Sequence, residues 1–272
     1  LGIQTWTNNM IGMPTETPED AEATIALNKR IRPNRAQIMV FYPFPGTALH
    51  SLCQAEGYLS GREQSSLFAE GSVLNLPGFS QDRLQELQAR FWRELLEVKI
   101  EKERAGLYDL LCLYPGAGVE TSQPGYADRV GVGVEGDEAA GIFAHPETRI
   151  TYDLDLPEGA WFHARIGLSP EVWSPDKGRG VDFLLELEQA GEVRTVFSRY
   201  VDPKHREEDR RWLPVHLPLP VSGPVKLRLV TTVKDRPDYF CWAFWIKPFI
   251  NTASAPGPDF PGAGRQFPEE EA

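Results

Sequence analysis

Three cysteines, Cys53, Cys112 and Cys241, and five histidines, His50, His145, His163, His205 and His216, are the side chains best suited to nucleophilic or metal chemistry in this chain. Metal sites built from a local segment need paired spacings such as C-x-x-C or H-x-x-x-H, and these residues show neither. A self-contained metal or cluster site is therefore not expected. The thiols read as small buried groups in a reducing compartment, which places the protein in the cytoplasm. His205 lies in the run Lys204-His205-Arg206-Glu207-Glu208-Asp209-Arg210-Arg211, which reads as an exposed charged loop. Asp182, Glu186 and Glu188 recur at a spacing that puts them on one strand face. Two carboxylates can share acid and base roles in glycoside hydrolysis, but like charges on a non-core face more simply solvate it. Five of the seven tryptophans, Trp161, Trp173, Trp212, Trp242 and Trp245, lie in the second half, where an indole beside Arg or Asp could stack on a sugar ring. Core packing is the simpler role: Trp242 sits on an apolar alternation, and Trp245 falls on the opposite face.

The elements that must position these residues change character along the chain. From Leu1 to about Gly118, strand-like apolar runs alternate with helical patterns. From Val119 to Asn251, short alternating runs repeat between turn signals. Pro115-Gly116-Ala117-Gly118 reads as the hinge. The 272 residues carry a net charge of -11, divided as -3 before the hinge and -8 after it, so phosphate backbones are repelled and nucleic acid is not an expected partner. No apolar run approaches the roughly 20 residues of a spanning helix, so no membrane span is expected. Position 1 is Leu, inside what reads as an element, and the chain reads as a piece whose start lies upstream. Residues 252–272, rich in Pro, Gly and acid, read as a disordered tail or linker.

In the first part, Ile3 to Met13 is expected to form a strand and Gln37 to Tyr42 a continuously buried one. Thr17 is the expected N-cap of the helix between them, with Pro18 at the first helical position and Ala23, Leu27 and Ile31 on its apolar face. A parallel crossover follows, with ligand-binding loops at Gly12–Thr17 and Pro43–Thr47. A longer helix is expected from Ser80, its stripe being Leu84, Leu87, Phe91, Leu95 and Val98.

The blocks Asn9-Met10-Ile11-Gly12-Met13-Pro14-Thr15-Glu16-Thr17-Pro18-Glu19-Asp20, Arg32-Pro33-Asn34-Arg35-Ala36-Gln37 and Phe41-Tyr42-Pro43-Phe44-Pro45-Gly46-Thr47-Ala48-Leu49 resemble the late strands of radical SAM enzymes, especially the group with a cobalamin (B12)-binding domain. Leu74-Asn75-Leu76-Pro77-Gly78-Phe79-Ser80 and the following helix resemble that group's C-terminal extension. Thr15 departs from the pattern, which usually has Gly there. The resemblance implies that residues 1–118 are the C-terminal part of a (β/α) barrel using S-adenosylmethionine and a 4Fe-4S cluster, with cobalamin possible through an upstream domain. The family's C-x-x-x-C-x-x-C loop is absent, so this chain would be inactive alone. By the same resemblance, Ile11, Gly12, Phe41 and Tyr42 would contact the cofactor, and Asn9 and Tyr42 would line the reaction cavity. Catalytic residues and the small-molecule or peptide substrate stay open.

From Val119 to Asn251, the runs Ile150-Tyr152-Leu154-Leu156, Phe162-Ala164-Ile166-Leu168, Val181-Phe183-Leu185-Leu187, Val225-Leu227-Leu229-Thr231 and Phe240-Trp242-Phe244-Ile246 predict half-buried strands of an antiparallel sandwich. Ile166 to Trp173, Asp202-Pro203, Arg211-Trp212 and Trp242 to Trp245 resemble jelly-roll modules appended to carbohydrate-active enzymes. The expected fold is thus multidomain, a partial α/β barrel followed by an all-β, jelly-roll-like sandwich. The leading expectation of function is a radical SAM fragment; the alternative is a non-catalytic carbohydrate- or protein-binding sandwich on a vestigial scaffold.

Overall fold

The computed structural model describes residues 5–62, 71–104, 106–134, 137–234 and 236–252. The predicted tail beyond 252 and the first residues of the predicted first strand lie outside them. The chain divides into two compact units, Leu1–Glu103 and Arg104–Ala272.

In the first unit, β1 (Trp6–Ile11) and β2 (Arg35–Val40) pair in parallel, with Trp6 opposite Arg35 and Ile11 opposite Val40. Between them runs α1 (Pro18–Ile31), followed later by α2 (Ala48–Ala55) and α3 (Gln81–Lys102). Thr17 caps α1 in a reciprocal box: its side chain accepts from the Asp20 N–H, and the Asp20 carboxylate accepts from the Thr17 N–H at 3.0 Å. Ile11, Ile25, Ile38, Val40, Leu84, Leu87 and Phe91 form the core of this unit.

Three expectations are corrected here. The buried face of α1 is Ala21, Ile25 and Asn28, while Leu27 and Ile31 are exposed. Asn28 wins the inner face because its amide is consumed: it donates to Asn9 Oδ1 at 2.8 Å and accepts from the Thr7 hydroxyl at 2.7 Å. The second strand is not continuously buried, since Ile38 and Val40 are buried while Gln37 and Met39 between them are half-buried. The parallel sheet has two strands among the described residues, not the curved wall of a barrel.

The second unit is a β-sandwich. Its strands are β3 (Tyr108–Asp109), β4 (Gly118–Thr121), β5 (Ala127–Val134), β6 (Asp137–Ala144), β7 (Thr148–Leu156), β8 (Trp161–Leu168), β9 (Val181–Gln189), β10 (Glu192–Val201), β11 (Leu213–Pro218), β12 (Gly223–Thr232) and β13 (Ala243–Asn251), with one short helix, α4 (Leu110–Leu113). One sheet runs β10-β9-β12-β7-β4; the other runs β11-β8-β13-β6-β5, with β3 added beside β13. From β7 onward the chain passes repeatedly from one sheet to the other, as in a jelly roll. The unit begins before the predicted hinge because Tyr108 and Asp109 pair with β13 and Gly118 to Thr121 with β7.

Alternation is realised as expected in β7, β8, β9 and β12, whose inward residues Ile150, Phe162, Phe183 and Leu227 are all fully buried. The phase of β13 is different. Its ladder begins at Ala243 opposite Leu168, which sends Ala243 and Trp245 inward and Phe244 outward. Trp245 therefore fills the space between the sheets, edge-on to Phe162 at 6.2 Å and to Phe183 at 5.3 Å.

Candidate functional site

The three longest connections of the sandwich, 169–180, 202–212 and 233–242, meet at one end of it, because Thr232, Asp182 and Tyr200 are register partners across β12, β9 and β10. Loops held at one end of a rigid sandwich are the usual place for recognition. Here they present Tyr239 and Phe240, which are 52% and 43% exposed with ring centroids 6.1 Å apart and nearly perpendicular. Large aromatic side chains on an antiparallel sandwich ordinarily bury their rings, and Trp245 does so on the adjoining strand.

The ground beneath the pair is built. Gly178 lies against Tyr239, where a β-carbon would come within 3.0 Å of its ring. Phe240 has φ 55°, a left-handed conformation uncommon for a bulky residue. The Lys177 ammonium donates to the Glu171 carbonyl at 2.8 Å and stands 5.2 Å from the Phe240 ring centroid. Asp238, next to Tyr239 in sequence, and Arg179, next to Gly178, are exposed.

Behind the platform, the Asp182 carboxylate accepts from the Arg236 guanidinium, whose Cζ stands 4.6 Å from the Tyr200 ring centroid. Arg206 takes a similar position at 5.2 Å. The Tyr200 hydroxyl donates to Asp202 at 2.9 Å, and His205 Nδ1 lies 3.2 Å from the same carboxylate. His205 is therefore an anchored part of this loop, with its side chain 38% exposed. Burial pushes the Tyr200 phenol above its ordinary pKa, and its bond to Asp202 pushes the same way.

Lys204 is 1% exposed, yet its ammonium donates to three backbone carbonyls: those of Lys177, of Arg179 at 2.8 Å and of Phe240 at 2.9 Å. Burial lowers its pKa, and the Asp202 carboxylate and Cys241 act against that shift. Cys241 itself is pushed up to about 11 by burial.

The residues singled out by sequence are distributed otherwise. Trp212 covers Gly167 on the outer face of the second sheet and donates to the Gly133 carbonyl at 3.1 Å, and Trp173 donates to the Leu168 carbonyl at 2.9 Å. Trp161 and Trp242 are half-buried. No tryptophan of this unit stands out as an open platform among the described residues. Glu186 and Glu188 lie near Arg149 and Arg228 across the sheet, as Asp182 does near Arg236. His163 and His216, far apart in sequence, meet at 2.9 Å across β8 and β11.

In the first unit, Ile11 is buried in the core and Gly12 has φ 79°, its N–H donating to Glu16 at 2.5 Å. Phe41 donates from its N–H to Ile11 at 2.8 Å, and its side chain joins Cys53, Val73 and Leu74. Tyr42 packs edge-on to Phe44 at 5.0 Å. The Asn9 amide donates to the Gln37 carbonyl at 2.9 Å and faces α1. Among the described residues, no group of three or more His, Cys, Asp or Glu is placed to hold a metal ion, and no helix is long and apolar enough to cross a membrane.

No family model matches this chain. A relative from Archaeoglobus fulgidus, known only as an uncharacterized protein, is 31% identical over 118 residues, 40% of this chain, and the chain spans 30% of that relative's length. Among solved structures, the chain is similar to two from Clostridium perfringens. One is a CBM51 module with its INT domain from ZmpB in complex with GlcNAc: 18% identity, 55% of this chain, 32% of that one, TM-score 0.35. The other is a CBM51 module of GH95 in complex with methyl-galactose: 17% identity, 53% of this chain, 98% of that one, TM-score 0.35. A third is a CBM6 module from Clostridium stercorarium in complex with cellobiose, 11% identical over 50% of this chain and 94% of that one, TM-score 0.31. The sandwich itself is established by its own strand pairing.

The radical SAM expectation is corrected at this point. The parallel strands β1 and β2 form a two-stranded sheet by themselves, and no radical SAM barrel is evident among the described residues. With it go the iron-sulfur and cobalamin assignments that rested on the resemblance.

Proposed function

We propose that the second unit is a non-catalytic carbohydrate-binding module that takes its ligand at the loop end of the sandwich. The observation that carries this reading is the exposed Tyr239–Phe240 pair, presented on the long connections. A pyranose ring has one face lined by C–H groups, and these meet the electron-rich face of an aromatic ring favourably while the equatorial hydroxyls stay at the rim. Lys177, Arg179 and Asp238, in the same loops, supply the polar groups that would orient those hydroxyls. Asp182, Glu186 and Glu188 act as charge partners of Arg236, Arg149 and Arg228, which supports a binding role over hydrolysis.

The test is a glycan array probed with the full chain, followed by calorimetry on any glycan retained. The double variant Tyr239→Ala, Phe240→Ala is expected to weaken binding at least about tenfold, or about 1.4 kcal/mol, with the thermal midpoint unmoved. An array without a retained glycan, or a double variant that binds as the parent does, would overturn the proposal.

A further inference from the structure

The structure assigns Lys204 the work of a bound cation: its ammonium, tethered to one loop, fastens the two loops that form the aromatic platform. Three backbone carbonyls converging on one point are a donor set suited to a hard cation. Here the point is occupied by Nζ, which donates to Lys177 and Arg179 in the 169–180 connection and to Phe240 in the 233–242 connection. The tether is itself held. The Asp202 N–H donates to the Asp209 carboxylate at 2.9 Å, and Arg210 Nε donates to the Pro203 carbonyl at 2.8 Å, so the segment carrying Lys204 is fixed on both sides.

Two further observations give this contact its purpose. Phe240, whose carbonyl is the third acceptor, is the platform residue in the left-handed conformation, and such a conformation persists only where the surroundings hold it. Gly180, next to the second acceptor, lies so close to the strand end at Val201 that a β-carbon would fall 2.1 Å from its carbonyl oxygen. The loops are thus drawn in around the ammonium. The charged groups bearing on it are Asp202 and Lys177, together with the thiol of Cys241.

Lys204 is therefore a positioning residue, and as such the inference rests on the proposed glycan site; the cation role can be tested without any sugar. Lys204→Met keeps an apolar stem and removes the charge, and Lys204→Ala leaves room for a free cation. Hydrogen exchange on the full-length protein is expected to show both variants exchanging about tenfold faster or more in 174–180 and 236–241, with β7, β9 and β12 unchanged. In Lys204→Ala, about 100 mM ammonium chloride should restore protection, whereas tetramethylammonium, too large and without N–H donors, should not. Wild-type-like exchange in both loops of Lys204→Met, or equal action of the two salts, would overturn the inference. Should neither variant fold, NMR of the wild type decides. Slowly exchanging Lys204 ammonium protons correlated across hydrogen bonds to the carbonyl carbons of residues 177, 179 and 240 support the clamp; a rapidly exchanging ammonium rejects it. If the parent protein retains no glycan while the loops still loosen, the clamp stands and the glycan reading falls.

Discussion

Phe240 combines an exposed apolar ring with a strained backbone, and neither would persist without the contacts its neighbours make. At this scale the sequence was legible in chemistry and misleading in geometry. Packing is the simpler reading of the tryptophans, and Trp245 is wholly buried and Trp212 covers Gly167, but the sequence put Trp245 on the face opposite the core. Alternation reads Phe240 as the start of a half-buried strand and gives no signal at Tyr239, whereas both stand in the connection before β13. The available hint was an aromatic pair after Arg236-Pro237-Asp238, in a turn-prone stretch. His163 and His216 likewise meet only because β8 and β11 are neighbours. Replacing Trp245 by Ala removes the indole between Phe162 and Phe183 and is expected to cost about 3–5 kcal/mol, measured by denaturant unfolding. Cys241, with its pKa raised from 9.0 to about 11, is expected to resist a thiol reagent at pH 8 until the protein unfolds, while Cys112, half-buried, reacts sooner. The sign follows from the direction of the shift. Below pH 9 the thiol is protonated whether folded or not; between about 9 and 11 only the unfolded chain ionises, so stability falls by roughly 1.4 kcal/mol per pH unit there.

Elements were read more reliably than the faces they bury. Thr17, Pro18 and Asp20 announce the start of α1, and Ser80 that of α3, because capping depends on side chains within one turn. Thr17→Ala is therefore expected to cost about 1 kcal/mol, seen as a lower unfolding midpoint of the first unit, with Thr17→Ser close to the parent. Which stripe of α1 turns inward is a tertiary matter. Ala23, Leu27 and Ile31 are as apolar as Ala21 and Ile25, but Asn9 and Thr7 on β1 supply partners for Asn28, and that rotation wins. The same limit applies to β13: Phe244 and Trp245 are both large and aromatic, so alternation could not say which points inward, and pairing of Ala243 with Leu168 decided it. The polar edge strand β10, with Glu192, Arg194 and Thr195 exposed, had no apolar alternation to find.

The molecule as a whole is two units, each with its own apolar core. Residues 104–252, expressed alone, are accordingly expected to fold into the sandwich, with β-type circular dichroism and a cooperative unfolding transition; a fragment lacking either would show that the first unit is needed for its core. The change of hydrophobic period was enough to separate an α/β part from an all-β part, because burial of alternating residues in antiparallel strands repeats locally. It did not locate the division, since β3 and β4 join strands that lie far along the chain. Local order, the caps and the clearly alternating strands, was determined by the sequence alone, since each depends on residues within a few positions of one another. The loop end was decided only by the tertiary structure. Lys177, Arg179, Lys204 and Phe240 are scattered over more than sixty positions, and a single buried ammonium brings their loops together.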